Sequence, residues 1–224
     1  MHLSIDKKHK IIIYILFLLI LSTTSGKFLE NKKNYLSKIN NINIEGLSNI
    51  DKKKIFNELD NLFNKNILFI NKKEVQKIIN KYNIIDEYNI KKIYPSTINI
   101  KIKPTKFVAR LSNSDQLVGA NGKLIDDEDN NDMLPYIFGE FNSNNFLKFQ
   151  NNILGSKFTF SKFKVLFFFP SNRWDVLTYD DILIKLPQDN ISESLNFAYK
   201  IINSNDLKYK NLIDLRIDNH LIIK

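Results

Sequence analysis

The most constraining feature of this chain is an unbroken apolar run, Ile11–Leu21, close to the N-terminus of its 224 residues. Lysines at positions 7, 8 and 10 precede the run, and no charged residue occurs from Ile11 to Gly26. A helix over residues 11–26 rises roughly 24 Å, at about 1.5 Å per residue, against a hydrocarbon core of about 30 Å. Snorkelling lysines and local thinning of the bilayer can close such a gap, so the run predicts a transmembrane helix over residues 11–26.

The same segment also fits a cleaved signal peptide. Its basic start and apolar centre are followed by the small and polar residues Ser22–Gly26, which could form a cleavage site. With either function, residues 1–10 are expected to stay in the cytoplasm and the rest of the chain to be exported. Residues 27–37 then form a linker to the first folded module.

Composition narrows the remaining possibilities. The absence of cysteine excludes disulfides, thiolate metal sites and a cysteine nucleophile. The net charge is +9, and residues 27–106 account for most of it, with seventeen lysines against eight acidic residues. These lysines are scattered singly among apolar positions, which indicates solvated faces or contact with anionic headgroups. We therefore expect no nucleic-acid partner.

Residues 38–108 show a β-α-α-β-β pattern. A short strand ends at Gly46, Ser48 can cap a first helix, and Asn71 can cap a second one. Pro95 lies in the turn between two further strands, the second of which is predicted over Thr97–Leu111. This order predicts an α+β module of about 70 residues.

Residues 109–224 predict a mixed β domain with flanking helices. Asn121 and Gly122 lie between apolar residues and indicate a β-hairpin, because both residue types tolerate positive φ. A second hairpin is expected from Arg173-Trp174-Asp175 to Pro187. Helices are expected over residues 146–154 and 191–202, and the last two strands over Leu212–Ile217 and Leu221–Lys224.

Several of these segments resemble the FtsQ/DivIB family of bacterial cell-division proteins. INNINIEGLSNI, NILFINKKEVQKII and IKKIYPSTINIKI are similar to a POTRA domain, and VGANGKLI, LPYIFGE, RWDVLTYDDILIKLP and IDLR are similar to the β domain that follows it. One departure is Asp181, which stands where the family's hairpin turn usually has glycine. The resemblance covers nearly the whole chain and favours an uncleaved anchor.

The resemblance implies a division scaffold that links early and late division proteins and helps to control septal wall synthesis by protein–protein binding. It implies a single-pass inner-membrane protein with a cytoplasmic N-terminus, its bulk in the periplasm and a place at the division septum. It also implies contact with an FtsB–FtsL-like pair through the C-terminal strands, and with other division proteins through the POTRA and membrane segments.

The partner site is expected at the C-terminal strands because a strand at a sheet edge offers unpaired N–H and C=O groups. The side chains expected to contact the partner are Ile217, Leu221, Ile222 and Ile223. Proline lacks an N–H group, so Ile222→Pro is expected to weaken binding.

No constellation of residues predicts catalysis, a metal site or a cofactor. His220 lies near Asp214 and Asp218, but no nucleophile motif accompanies it. The acidic loop Asp126–Asp132 lacks the spacing of a calcium loop. Trp174, the only tryptophan, fits either the core of its hairpin or a partner contact.

Two other functions remain open. One is a POTRA module from protein export or outer-membrane assembly, whose members usually continue into a long β-barrel; about 110 residues after the first module are too few for a large barrel. The other is an exported enzyme such as a wall hydrolase, which the missing catalytic constellation disfavours.

Overall fold

A computed structural model describes residues 7–23, 38–114, 116–126, 133–204, 211–217 and 221–223. The helices are α1 (Lys7–Thr23), α2 (Asn49–Leu59), α3 (Lys72–Ile79), α4 (Ser143–Leu154) and α5 (Ile191–Ile202). The strands are β1 (Asn41–Glu45), β2 (Ile85–Ile93), β3 (Thr97–Pro104), β4 (Phe107–Leu111), β5 (Leu117–Gly119), β6 (Leu124–Ile125), β7 (Tyr136–Phe138), β8 (Phe163–Phe168), β9 (Trp174–Thr178), β10 (Leu183–Lys185), β11 (Leu212–Asp214) and β12 (Ile222–Ile223). The predicted α+β class is confirmed.

Helix α1 differs from the predicted transmembrane helix in both start and length. It begins at Lys7 and runs for 17 residues, so its first turn consists of Lys7, Lys8, His9 and Lys10 rather than apolar residues. Among the residues that the structure describes, no helix is both long enough and apolar enough to span a membrane. The transmembrane helix expected over residues 11–26 is therefore not borne out, and its last three positions lie outside the described residues.

The chain divides into two compact units. The first unit comprises Met1–Ile79 and Tyr88–Ile102, and the second comprises Asn80–Glu87 and Lys103–Lys224. Strands of the first unit belong to a three-stranded sheet with the order β1-β3-β2, in which β1 runs parallel to β3. The predicted β-α-α-β-β order is thus present in the structure.

Local signals at the helix starts act as the sequence predicts. The Ser48 side chain accepts a hydrogen bond from the Asp51 amide, and the Asn71 side chain accepts one from the Lys73 amide. Each bond satisfies a donor that has no partner within its own helix. Both helix starts are therefore fixed by the residues expected to cap them.

Gly46 ends β1 for a reason that the structure makes explicit. Its φ is +97°, and a Cβ atom at this position would lie 1.8 Å from the carbonyl oxygen of Ile102. Only glycine combines that backbone conformation with so close an approach of a neighbouring strand.

The long strand predicted over Thr97–Leu111 is wrong. The chain leaves β3 at Pro104 and enters β4 at Phe107, and the two strands belong to different sheets. Proline cannot donate a ladder hydrogen bond, which favours a strand end at this point.

The second unit is a nine-stranded mixed sheet with two helices packed on one face. The strand order is β12-β11-β10-β9-β8-β7-β4-β5-β6. Buried side chains of α4 and α5, among them Phe146, Phe149 and Leu195, join strand residues such as Leu166 and Val176 in one apolar core. The order places β12 at one edge of the sheet.

Three hairpins of this sheet use the same turn. In each, a three-residue loop ends on a residue with positive φ: Gly122 at +73°, Asn172 at +59° and Asp181 at +57°. The N–H of that residue donates to the carbonyl three residues earlier, at Gly119, Phe169 and Thr178 respectively. This is a type I turn followed by a left-handed residue, so the predicted hairpin at Asn121-Gly122 is present with one left-handed residue instead of two.

Candidate partner-binding edge

The described end of the chain forms the edge of the nine-stranded sheet. Strand β11 runs parallel to β10, and β12 pairs antiparallel with β11, with Ile213 opposite Ile223 and Asp214 opposite Ile222. Among the described strands, β12 has no neighbour on its outer side. An edge of this kind carries backbone groups that can pair with a strand from another chain.

Strand register decides which face each terminal side chain occupies. A row of paired residues, Ile137, Leu166, Val176, Ile184, Ile213 and Ile223, crosses the sheet on the core side. Ile223 is half-buried and packs against the core. The adjacent row contains Ile222, whose side chain therefore points to the opposite face and is 42% exposed.

Ile217 and Leu221 lie outside the strands. The strand predicted over Leu212–Ile217 ends at Asp214, and Ile217 is 60% exposed. Leu221 immediately precedes β12 and is 41% exposed. Three of the four residues predicted to contact a partner therefore have exposed side chains. The side chain of the fourth, Ile223, packs against the core.

Hydrogen bonding on the inner side of β11 shows which backbone groups are free at the edge. The Leu215 N–H donates to the Lys185 carbonyl at 2.9 Å, and Lys185 lies opposite Asp214. Alternate residues of a strand direct their backbone groups to alternate sides, so Asp214 directs its N–H and C=O toward Ile222. The backbone N–H and C=O of Ile222 therefore face β11. Those of Ile223 point away from β11, toward the open edge of the sheet.

This geometry corrects the expectation for Ile222→Pro. Proline at position 222 would remove a bond within the sheet rather than one to a partner. The residue whose backbone N–H can meet an added strand is Ile223.

Charged residues cluster beside this edge on the face that carries Ile222. Asp175, Lys185 and Asp214 are neighbours in one cross-strand row that continues to Ile222. Asp175 is almost fully buried, and its Oδ1 accepts hydrogen bonds from Arg173 Nε at 3.2 Å and from the Leu186 N–H at 3.3 Å. Burial raises the pKa of the Asp175 carboxyl, and the Arg173 guanidinium opposes that rise.

Asp214 and Arg216 form the second ion pair of the cluster. Arg216 Nε lies 2.8 Å from Asp214 Oδ1, and a terminal guanidinium nitrogen lies 2.6 Å from Oδ2. This two-point hydrogen bond lowers the pKa of Asp214. Arg173 and Arg216 also line one open groove of about 510 Å³, together with Pro187 and Gln188.

Two domains of known protein families match this chain. The FtsQ-type POTRA domain matches residues 37–103, and the C-terminal domain of the cell division protein FtsQ/DivIB matches residues 107–216. No curated protein shows significant sequence similarity to the chain.

The chain belongs to the FtsQ/DivIB family. This membership supports a role in cell division, and the family is one of non-enzymatic division proteins. The FtsQ-type POTRA match covers the segment in which the three-stranded sheet and helices α2 and α3 lie, and the FtsQ/DivIB C-terminal match covers β4 to β11.

The remaining FtsQ-like motif residues lie in the core or in the turns of the two units. Trp174 is 3% exposed and stacks on Phe149 with ring centroids 4.4 Å apart. In the same unit, Asn121 Nδ2 donates to the carbonyls of Asn83 and Ile85. Pro187 is half-buried two residues after the end of β10. In the first unit, Pro95 is exposed and follows a cis peptide bond in the turn between β2 and β3.

The charged row of Asp175, Lys185 and Asp214 was not found by sequence reasoning. Its members lie in three strands that are distant in sequence, and only the register brings them together. One sequence signal could have indicated this row: residues of opposite charge lie two positions apart in Arg173-Trp174-Asp175 and in Asp214-Leu215-Arg216.

Two sequence hypotheses on chemistry fall partly outside the described residues. His220, Asp218 and positions 127–132 of the acidic loop lie there. Within the described part of the chain, no group of three or more His, Cys, Asp or Glu residues is placed to hold a metal ion.

Proposed function

We propose that this FtsQ/DivIB family member is a division scaffold that acts by binding other proteins. In this proposal it links early and late division proteins and helps to control septal wall synthesis. An FtsB–FtsL-like pair binds at the C-terminal strands, and other division proteins bind the POTRA unit and the N-terminal segment.

The observation that carries the proposal is the open outer side of β12 in a chain that belongs to a division family. Ile223 offers its outward backbone N–H and C=O groups. The exposed residues Ile222, Leu221 and Ile217 offer apolar side chains. In strand addition the main-chain bonds supply affinity and the side chains set register.

We place the protein in the inner membrane at the septum, with residues 1–10 in the cytoplasm and residues 38–224 in the periplasm. The large apolar side chains from Ile11 to Leu21 are each at least half exposed on α1, which supports contact with an apolar phase. Lysines at positions 7, 8 and 10 precede them and favour a cytoplasmic N-terminus.

The proposal is tested by measuring the affinity of the full chain for an FtsB–FtsL-like pair. Ile223→Pro removes the outward N–H, whereas Ile223→Ala shortens the side chain and keeps that donor. Losing one hydrogen bond is worth about 0.5–1.5 kcal/mol, so Ile223→Pro should bind about twofold to tenfold more weakly than Ile223→Ala. Circular dichroism must first show that both variants are folded.

A side-chain test uses two exposed apolar residues. Ile217→Glu should weaken binding, while Leu154→Glu, at an exposed position in the helical layer of the same unit, should leave it unchanged. Equal affinity of folded Ile223→Pro and Ile223→Ala, together with no effect of Ile217→Glu, would contradict binding at this edge.

A POTRA module of protein export or outer-membrane assembly is the alternative function. The match of residues 107–216 to the FtsQ/DivIB C-terminal domain favours the division role over it. Co-purification with outer-membrane assembly proteins instead of division proteins would favour the alternative.

A further inference from the structure

One end of the first unit carries exposed apolar side chains that the partner edge does not use. Phe69 is 83% exposed and Leu68 is 59% exposed, both in the loop between α2 and α3. Ile93 and Tyr94, at the end of β2, are 48% and 60% exposed. We call these four residues the apolar tip.

Hydrogen bonds and a β-bridge place the members of the apolar tip at the same end of the unit. Lys92 Nζ lies 3.4 Å from the Leu68 carbonyl, which joins the end of β2 to the loop. Lys38 forms a β-bridge with Asn66 in that loop, and the Asn40 N–H donates to the Ser96 carbonyl beside Tyr94. Lys38, the first described residue after α1, therefore lies at the end that carries the apolar tip.

The loop that presents Leu68 and Phe69 is held in shape. The Asn66 side chain accepts the Leu68 N–H at 2.9 Å, and the Asn66 carbonyl accepts the N–H groups of Phe69 and Ile70. Ile67 and Ile70 are buried on either side of the exposed pair. The two exposed side chains are thus displayed by an anchored turn.

Charge at this end has one dominant sign. The segments that form it, residues 38–41, 64–74 and 91–96, contain six lysines and one acidic residue, Glu74. Glu74 is itself 3.5 Å from Lys65. The opposite end is more balanced, since residues 45–54 contain Glu45 and Asp51 beside Lys52, Lys53 and Lys54, and Glu45 lies 3.7 Å from Lys101.

We propose that the apolar tip inserts into the interface of an anionic lipid bilayer and holds the first unit against the membrane. Aromatic and aliphatic side chains surrounded by lysines suit the headgroup region, where rings and alkyl chains enter and ammonium groups meet lipid phosphate. Fourteen residues separate the exposed apolar helix α1 from Lys38, which lies at the end that carries the tip, so the surface that this end meets is the one that holds α1. This inference rests on the membrane location proposed above.

The absence of cysteine allows a direct test with single labelled sites. The full chain carries an environment-sensitive fluorophore at Phe69→Cys, at Ile50→Cys or at Leu16→Cys, and is mixed with vesicles of phosphatidylglycerol and phosphatidylcholine that contain a quencher lipid. Ile50 is the matched control, because it is 66% exposed, equally apolar and at the opposite end of the unit.

We expect strong lipid quenching at positions 16 and 69 and none at position 50. Quenching at position 69 should fall several-fold in vesicles of phosphatidylcholine alone, and also when Lys72 and Lys73 are replaced by glutamine. Quenching at position 16 without quenching at 69 would overturn this inference and leave the membrane location standing, as expected if the tip binds a protein instead. Equal quenching at 50 and 69 would also overturn it, and no quenching at position 16 would overturn the membrane location itself.

Discussion

Asp175 shows at the scale of one residue how a buried carboxylate depends on a neighbouring cation. Its carboxyl is nearly fully buried and has Arg173 as its ion-pair partner at 3.2 Å. Because burial raises its folded-state pKa above the unfolded value, the ionised carboxylate costs stability at neutral pH. That cost is relieved as the pH falls through the folded-state pKa, and removal of Arg173 should increase it.

The first prediction concerns this ion pair. Arg173→Gln should lower the free energy of unfolding at neutral pH by about 1–3 kcal/mol, because a buried carboxylate loses its charged hydrogen-bond donor. The loss should shrink in acid, where Asp175 is protonated. Denaturant unfolding of the variant at both pH values measures it, and Arg173→Gln with Asp175→Asn should recover part of the loss. An equal loss at both pH values would contradict the assigned role of Asp175.

The second prediction concerns Trp174. Its buried ring stacks on Phe149 and contacts the tilted ring of Phe168, so Trp174→Ala should lower the free energy of unfolding by about 3–5 kcal/mol. Thermal unfolding of the purified chain measures the loss. Unchanged stability with abolished partner binding would show that Trp174 acts as a surface contact rather than as a core residue.

At the scale of elements, the three equivalent hairpin turns connect sequence to sheet geometry. Gly122, Asn172 and Asp181 are residue types that accept left-handed backbone, and each closes a three-residue loop. Asp181 shows that the position can use aspartate in place of glycine, and its Oδ1 also meets Lys164 at 3.0 Å.

The third prediction follows from this turn. Asp181→Val should lower the free energy of unfolding by about 1–2 kcal/mol, because a β-branched residue is strained at φ +57°. Asp181→Gly should be within about 0.5 kcal/mol of the natural chain, since a surface ion pair contributes little. Asp180→Val, one residue earlier and without positive φ, is the matched control. Equal losses at positions 180 and 181 would exclude backbone strain as the cause.

Sequence pattern predicted those elements that local chemistry specifies. Gly46, the caps at Ser48 and Asn71 and the hairpins are examples, since each depends on residues that are close in sequence. The end of β3 at Pro104 was missed because the alternating apolar pattern continues beyond it into β4. The row of Asp175, Lys185 and Asp214 was out of reach, because register between distant strands is set by tertiary packing.

At the scale of the whole molecule, three exposed surfaces have been described. They are the apolar side chains of α1, the apolar tip with the lysines near it, and the outer side of β12. In the proposals above, these surfaces contact a bilayer or a partner protein, and the family to which the chain belongs is one of non-enzymatic division proteins.

The fourth prediction concerns location. Removal of residues 1–26 should release the protein from the membrane fraction of cells, because the deletion takes away α1 and its exposed apolar side chains. Fractionation followed by immunoblotting measures the release. A deleted chain that stays with membranes after a salt wash would place the attachment elsewhere in the molecule.

The outward N–H of Ile223 provides the most direct test of the central claim, that a partner strand adds to the edge at β12. Amide hydrogen exchange is measured on the full chain with and without the FtsB–FtsL-like pair at saturating concentration. Binding should slow exchange at Ile223 by at least about tenfold, while Ile222, already bonded to Asp214, changes less. Unchanged exchange at Ile223 in a fully bound complex would contradict strand addition at this edge.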